Sequence, residues 1–392
     1  MIGWGDVYKV AAAMAPLYFA LALGYGSVRW WKVFTRDQCG AINRLVIYFA
    51  FPFFGFDLTA RAGSFAASYR VLAADVACKA LVVLALAGWA TACRWASKKG
   101  GGEGGGGSSR SYYSWCITGF SLAALNNALL MGIPLLDAMY GAWAHDIAVQ
   151  MSMMQIVVWF PLMLVVFEVR QAWLETPLPA VVAPTDRDDG VALDEEADGH
   201  AAAADPLGSD GDESGDGRKT AMEAGWWPFW APLVRNVALK LAYNPNVYAS
   251  LLGVAWSSIA NRWHLELPSI VEGSVTIMSK TGIGLGMFSM GLFIALQDKF
   301  IICGPGLTAL SLGLRFVAGP AAAAAAAAAL GLRGDLLRFA IVQAALPHSV
   351  ATFNFAREYD LHADVLSTAI IVGTLASLPV LIAYYLVLGL IR

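Results

Sequence analysis

Long apolar segments alternate with short polar segments along most of the chain. A membrane-spanning helix needs about 20 mostly apolar residues, and the pattern predicts ten such helices, five on each side of a hydrophilic segment. The predicted spans are 8–28, 41–60, 71–95, 112–135, 145–169, 232–259, 268–296, 303–331, 334–356 and 364–391. We therefore predict an all-α membrane protein in which residues 1–169 and 232–392 form two five-helix repeats. Because each repeat has an odd number of spans, the two repeats should have inverted topology.

The composition supports this class of protein. Of the 392 residues, 58% are hydrophobic and 14% are charged, whereas a soluble domain carries about 25% charged residues. Many of the charges lie in the acidic stretch 185–216, inside the hydrophilic segment 170–231, which has too few apolar residues to fold by itself. We predict a disordered loop there. The net charge of −3 averages an apolar body and an acidic loop and so carries no information about partners. We predict no nucleic-acid partner.

Motifs of metal, nucleotide and redox chemistry are missing from the sequence. The five cysteines form no CxxC pair, and the glycines of residues 100–107 lack the order of a P-loop. We predict no cofactor, no metal and no enzymatic activity. Gly282, Gly284 and Gly286 lie in an apolar run, where this spacing indicates close packing of helices.

Lysine and arginine predict the orientation, because they concentrate in cytosolic loops. With the amino terminus outside, the cytosolic ends of the predicted spans carry about twice as many Lys and Arg residues as the opposite ends. Both termini are then non-cytosolic, and the acidic central loop is cytosolic.

Polar residues interrupt the fourth and ninth predicted spans. The fourth contains Asn126, Asn127 and Pro134, and the ninth contains Pro347 and Thr352 among other polar residues. Polar groups at membrane depth are costly, and interruptions at matching places in two repeats are typical of a carrier's binding site. A new half-helix amino terminus attracts a carboxylate. We favour a carrier of a small organic anion over the alternative of two kinked helices.

Four further polar residues lie in or beside predicted spans. Asp75 and Lys79 are four residues apart in the third span and so share a helix face. They form either a structural lock or a proton or ion site. Gln150 lies in the fifth span. Asn246 follows Asn244 and Pro245, an arrangement that is ordinary at the start of a helix.

The chain resembles the plant PIN-FORMED auxin efflux carriers over both halves. The resemblance is carried by residues 14–46, NNALLMGIPLLDAMYG at 126–141, YNPNVYASLLG at 243–253, GLGMFSMGLFIAL at 284–296 and QAALPHSVATFNFAREYDLHADVLSTAII at 343–371. It implies a fold similar to bile-acid and sodium/proton antiporter-type carriers. Each repeat would supply two scaffold helices and three transport-domain helices, and helices 4 and 9 would cross in the middle of the membrane. It also implies a homodimer in the lipid bilayer.

The resemblance also implies residue roles for an indole-3-acetate site. Asn127 and Asn246 match substrate-facing asparagines, whereas Phe51 and Val350 match apolar positions against the indole ring. Asp75, Lys79 and Gln150 are assigned to a polar support or proton site. Pro134 keeps a proline of the helix crossing. Asn126 and Thr352 are also assigned to the substrate site, and Thr352 to the helix crossing as well. This chain departs from many members at both positions, where they replace prolines, and at Phe51, which replaces a smaller valine.

The length of the central loop and the family resemblance also predict the cellular membrane and the transport mechanism. The short central loop is similar to that of members in the endoplasmic reticulum, although its length also permits the plasma membrane. The resemblance implies elevator-type alternating access that moves auxin out of the cytosol. A sodium- or proton-coupled carrier of the bile-acid type is the alternative, and a sodium-free assay separates it. A receptor that signals through the loop is a third hypothesis, which deletion of residues 185–216 would test.

Overall fold

The protein is described here from a computed structural model that covers residues 4–61, 65–99, 105–175 and 227–390. Most of the predicted acidic loop, residues 176–226, lies outside the described residues. The described part is helical, with one isolated β-bridge. Its helices are α1 (Trp4–Arg29), α2 (Arg36–Ala60), α3 (Phe65–Lys99), α4 (Gly105–Ala124), α5 (Ala128–Tyr140), α6 (Ala142–Leu174), α7 (Trp227–Ala242), α8 (Pro245–Trp263), α9 (Ser269–Ala295), α10 (Pro305–Ala329), α11 (Asp335–Ala344), α12 (Val350–Glu358) and α13 (Ala363–Leu390).

Seven of these helices are long and apolar enough to cross a membrane. They are α1, α2, α3, α6, α9, α10 and α13. Three of the predicted spans are divided in the structure, since α4 stops before α5, α7 before α8, and α11 before α12. These six divided segments are not among the seven helices that are both long and apolar enough to span a membrane alone. The chain is therefore a multi-pass membrane protein, and its described residues form helices and their connections.

Four helices contain a π-helical turn directly before a proline. The turns are Val46–Ala50, Ala128–Gly132, Gln155–Trp159 and Leu314–Ala318, and they precede Pro52, Pro134, Pro161 and Pro320. Proline has no N–H, and its ring collides with the carbonyl four residues earlier, so the helix widens locally to accept it. Turns of this type are frequent at functional sites.

The α1 and α9 helices pack backbone against backbone. A Cβ atom on Gly24 would lie 2.1 Å from the carbonyl oxygen of Phe288, and one on Gly291 would lie 2.0 Å from that of Leu21. Small residues permit this close approach, which is a common way to join helices in a membrane. α2 packs against α8 and α9, whereas α3 packs against α4 and α10.

Candidate functional site

The two interrupted helices meet at their breaks. Residues 125–127 separate α4 from α5, and residues 345–349 separate α11 from α12. The backbone N–H of Asn127 donates to the carbonyl of Pro347 at 2.8 Å, and the N–H of Ser349 donates to that of Leu125 at 3.4 Å. Asn126 and His348 thus form a single antiparallel bridge. Each break satisfies part of the backbone of the other.

The prolines act at places that differ from the sequence prediction. Pro347 lies inside the second break, and its missing N–H ends the preceding helix. Thr352 lies after the break, within α12, where its hydroxyl donates to the carbonyl of Ser349 at 2.6 Å. Thr352, which was assigned to the helix crossing, thus lies in the first turn of the helix that follows the break, whereas Pro347 lies in the break itself. Pro134 likewise lies beyond the first break, where it accounts for the π turn of α5.

Asn126 is held by two glutamines. The Gln155 side chain donates to the Asn126 carbonyl at 2.6 Å and accepts from the Asn126 N–H at 3.3 Å, as a paired strand would. The Asn126 amide donates to the carbonyl of Gln343 at 2.7 Å. Gln150, which the family resemblance places in this region, is buried and does not line the cavity described below. Gln155 is also visible in the sequence as a polar residue of the same predicted span, but no role in the site was assigned to it from the sequence.

A cavity of about 1770 Å³ extends from the two breaks to one end of the molecule. Five of the predicted site residues line it: Phe51, Asn126, Asn127, Asn246 and Val350. Thr352 does not line it. The other end of the cavity reaches exposed charged residues, including Arg36, Lys299 and Arg357. This is the end that the lysine and arginine pattern assigns to the cytosol.

The two asparagines present different polar atoms. The Nδ2 atom of Asn127 is buried and has no hydrogen-bond partner among the described residues. The Nδ2 atom of Asn246 donates to the carbonyl of Ile47 at 3.1 Å and to Oδ1 of Asn244 at 3.2 Å. Ile47 belongs to the π turn of α2. Because both neighbouring atoms are acceptors, they fix the orientation of the Asn246 amide, and its Oδ1 remains as an acceptor for a ligand.

Apolar side chains form another part of the cavity wall. A Cβ atom on Gly286 would lie 2.8 Å from the ring of Phe51, so the phenyl ring packs directly over this glycine. Val350 begins α12, and the rings of Phe293 and Phe353 meet edge to face at 4.8 Å. A flat aromatic ligand would find apolar surface here, close to polar atoms of the two breaks.

Asp75 and Lys79 form an ion pair beside the breaks. The Lys79 ammonium also lies 4.8 Å from the ring centroid of Trp159. The pair borders a second cavity of about 20 Å³, which is also lined by Asn126 and Gln343. That volume suits one water molecule. The pair is thus close to the crossing but outside the large cavity.

Lys240 joins three helices near the charged end of the cavity. Its ammonium donates to Glu358 at 2.7 Å and lies 3.0 Å from Glu168, so it links α7 to α6 and α12. It also contacts the hydroxyl of Tyr359, which donates to Glu168. Burial and the bond to the Glu168 carboxylate raise the pKa of Tyr359. The phenol therefore stays neutral and remains a donor.

A helical membrane protein whose two broken helices meet in a large, one-sided cavity belongs to the class of membrane carriers. A family model described as membrane transport protein matches residues 9–385. The chain is 62% identical to probable auxin efflux carrier component 5b of Oryza sativa subsp. japonica and 48% identical to auxin efflux carrier component 5 of Arabidopsis thaliana, in both cases over all of each chain. The chain belongs to this transport family as a short-loop member of the PIN-FORMED auxin efflux carriers. Because the family consists of transporters, the chain is not an enzyme.

Proposed function

We propose that this protein carries indole-3-acetate across a membrane by elevator-type alternating access. The observation that carries the proposal is the pair of asparagines in one cavity, one with an unpartnered donor and one with a free acceptor. Indole-3-acetate has the complementary atoms, a carboxylate and an indole N–H. The names of the relatives, auxin efflux carriers, support the same substrate.

In the proposed complex, the carboxylate lies at the two breaks. The amino termini of α5 and α12 would each contribute about half a positive charge there, and the Asn127 amide would donate a hydrogen bond. The indole ring would lie against Phe51 and Val350, and its N–H would donate to Oδ1 of Asn246. No lysine or arginine pairs with the carboxylate in this arrangement, which favours release of the ligand.

The proposed architecture has ten spans in two inverted repeats, residues 1–169 and 232–392, joined by the cytosolic loop 170–231. The matching breaks between α4 and α5 and between α11 and α12 support it. In this scheme α1, α2, α7, α8 and α9 form the scaffold, and the other helices form the transport domain. The tight packing of α1 on α9 and of α2 on α8 and α9 is consistent with a rigid scaffold. Dimerisation through this scaffold is part of the proposal.

The proposed direction is out of the cytosol, into the lumen of the endoplasmic reticulum, with the plasma membrane as the alternative. Both termini would lie on the non-cytosolic side. The membrane potential is worth about 2.3 kcal/mol per charge per 100 mV, which can drive export of an anion without a coupled ion. Proton coupling is a second candidate, because the Asp75–Lys79 pair lies next to the crossing.

Uptake of labelled indole-3-acetate into vesicles that contain the purified protein tests the function. We expect saturable uptake that follows an imposed membrane potential and is unchanged when sodium is replaced by choline. A strict requirement for sodium would instead support the bile-acid type of mechanism. Absence of any uptake above that of empty vesicles would contradict the proposed function.

The role of Asn246 can be tested with two ligands. Asn246→Ala removes the acceptor for the indole N–H, and loss of one hydrogen bond should raise the KM for indole-3-acetate about three- to tenfold. The matched ligand is 1-naphthaleneacetate, which has a carboxylate and an aromatic ring but no N–H. Its KM should change little. An equal rise in KM for both ligands would show that Asn246 stabilises the cavity wall and does not accept a hydrogen bond from the indole N–H.

The elevator mechanism can be tested by cross-linking. If α6 and α12 slide along α7, the contacts of Lys240 must break in every cycle. In a variant with the native cysteines replaced by serine, Lys240→Cys with Glu358→Cys should lose transport when joined by a short, reducible bifunctional reagent, and regain it after reduction. The control pair is Arg61→Cys with Glu272→Cys, whose native side chains meet at 3.3 Å within the scaffold. Cross-linking that pair should leave transport intact, and equal inhibition of both pairs would argue against sliding.

A further inference from the structure

Arg315 lies in the π turn of α10 and is fully buried. It is a charged residue in the middle of the predicted span 303–331. A charge at membrane depth indicates a functional residue, so Arg315 could have been singled out from the sequence. Its guanidinium contacts backbone carbonyls of both interrupted helices. Nη1 donates to Ala123 at 3.0 Å and to Leu122 at 3.3 Å, and Nε donates to Leu346.

Two of these carbonyls, those of Leu122 and Ala123, are the ones that the first break releases. In a continuous helix, the carbonyls of Leu122 and Ala123 would accept from the N–H groups of Asn126 and Asn127. Those N–H groups instead donate to Gln155 and Pro347. An unpaired carbonyl at membrane depth costs several kcal/mol, and Arg315 supplies the missing donor. A Cβ atom on Gly319 would lie 2.7 Å from the Ala123 oxygen, so this glycine lets α10 approach the broken end.

The charges at the crossing can be added. The carboxyl-terminal ends of α4 and α11 each carry about half a negative charge, and the amino-terminal ends of α5 and α12 each carry about half a positive charge. Without Arg315 the four ends cancel, and the crossing has no preference for an anion. The full positive charge of Arg315 offsets the two negative ends, which leaves the two positive ends for a ligand.

We propose that Arg315 is a positioning residue that makes the crossing selective for an anionic ligand, acting through the two half-helix carboxyl termini rather than by contact with the ligand. This inference rests on the proposed binding of indole-3-acetate. It explains why arginine is present: one planar group with several donors reaches three carbonyls of two helices, whereas lysine presents a single point charge.

The test compares an anion with a neutral ligand of the same shape. Binding of indole-3-acetate and of indole-3-acetamide is measured on purified protein in lipid nanodiscs. Arg315→Met should reduce the preference for the acid over the amide about tenfold or more, and Arg315→Lys should keep most of it. An arginine with a purely structural role would, when removed, weaken both ligands equally.

A second variant neutralises Arg315 without removing it. The Cys78 thiol lies 4.0 Å from the carbonyl oxygen of Gly319, which is one helical turn after Arg315, so Cys78→Asp places a carboxylate near an intact guanidinium. We expect the same loss of preference for the acid, whereas Cys78→Ser should behave as the wild type. This pair decides the question if Arg315→Met is not recovered as folded protein. If the ratio of the affinities for acid and amide is unchanged in Cys78→Asp, the inference about Arg315 is overturned but the proposed function is not. If the wild type binds neither ligand, the proposed function fails and the inference fails with it.

Discussion

Asn127→Asp should abolish transport of indole-3-acetate, lowering kcat/KM about a hundredfold or more. The substitution keeps the size of the side chain but replaces an amide donor by a carboxylate at the crossing. Two like charges at close range in a poorly hydrated site cost several kcal/mol, and a hundredfold loss corresponds to about 2.7 kcal/mol. Asn127→Ala, which removes the donor without adding charge, should have a smaller effect of about tenfold. Initial rates of uptake into vesicles at a fixed membrane potential measure both.

Asn43→Asp is the matched control for Asn127→Asp. Asn43 also lines the large cavity, where its Oδ1 accepts from the Ser289 hydroxyl at 2.9 Å. The aspartate keeps that acceptor and adds the same charge to the wall of the same cavity, on α2 and not at a break. Its effect should stay below about threefold, because water in an open cavity screens a distant charge. Equal losses in the two variants would contradict a carboxylate site at the crossing.

The sequence predicted the interrupted helices because their evidence is local. A polar pair such as Asn126 and Asn127 in an apolar span, or Pro347 in another, is visible without knowledge of the partner helix. The sequence could not show which peptide groups of one break pair with those of the other. That pairing joins Asn127 to Pro347 across more than half of the chain, and it depends on how the two halves pack.

The position of each proline relative to the breaks could not be predicted, for a different reason. A proline disturbs the turn that precedes it, but it can do so by widening a helix as well as by breaking it. Pro134 follows a π turn, whereas Pro347 lies in a true break. The difference is that the broken segments have outside partners, from Gln155 and Arg315, which satisfy the exposed backbone. Those partners lie far away in the sequence, so the residues around a proline do not predict them.

Glycine positions on α9 illustrate how spacing and environment combine. The sequence predicted close packing for Gly282, Gly284 and Gly286 as a group. A Cβ atom on Gly282 would lie 2.9 Å from the Phe54 side chain, and one on Gly286 would meet Phe51, but one on Gly284 would meet nothing within 4 Å. A helix turns by 100° at each residue, so alternate glycines cannot all face the same neighbour. Gly291, which the GxGxG pattern does not include, makes the closest approach of these four.

Gly291→Ala and Gly284→Ala should therefore change stability in opposite directions. In a helix interior, alanine is more favourable than glycine by about 1 kcal/mol, and this gain should appear at Gly284 as a slightly raised Tm. At Gly291 the same methyl group would lie 2.0 Å from the Leu21 carbonyl oxygen and 2.8 Å from the Tyr25 nitrogen. Both are backbone atoms, so rotation of a side chain cannot relieve the overlap, and α1 must move away from α9 at a cost of about 3 kcal/mol. The difference in Tm is measured on the detergent-solubilised variants by heating samples and determining the fraction of folded protein by size-exclusion chromatography. A Gly291→Ala protein as stable as Gly284→Ala would mean that the two helices are not held at backbone contact, and the rigid scaffold on which the elevator proposal depends would lose its main support.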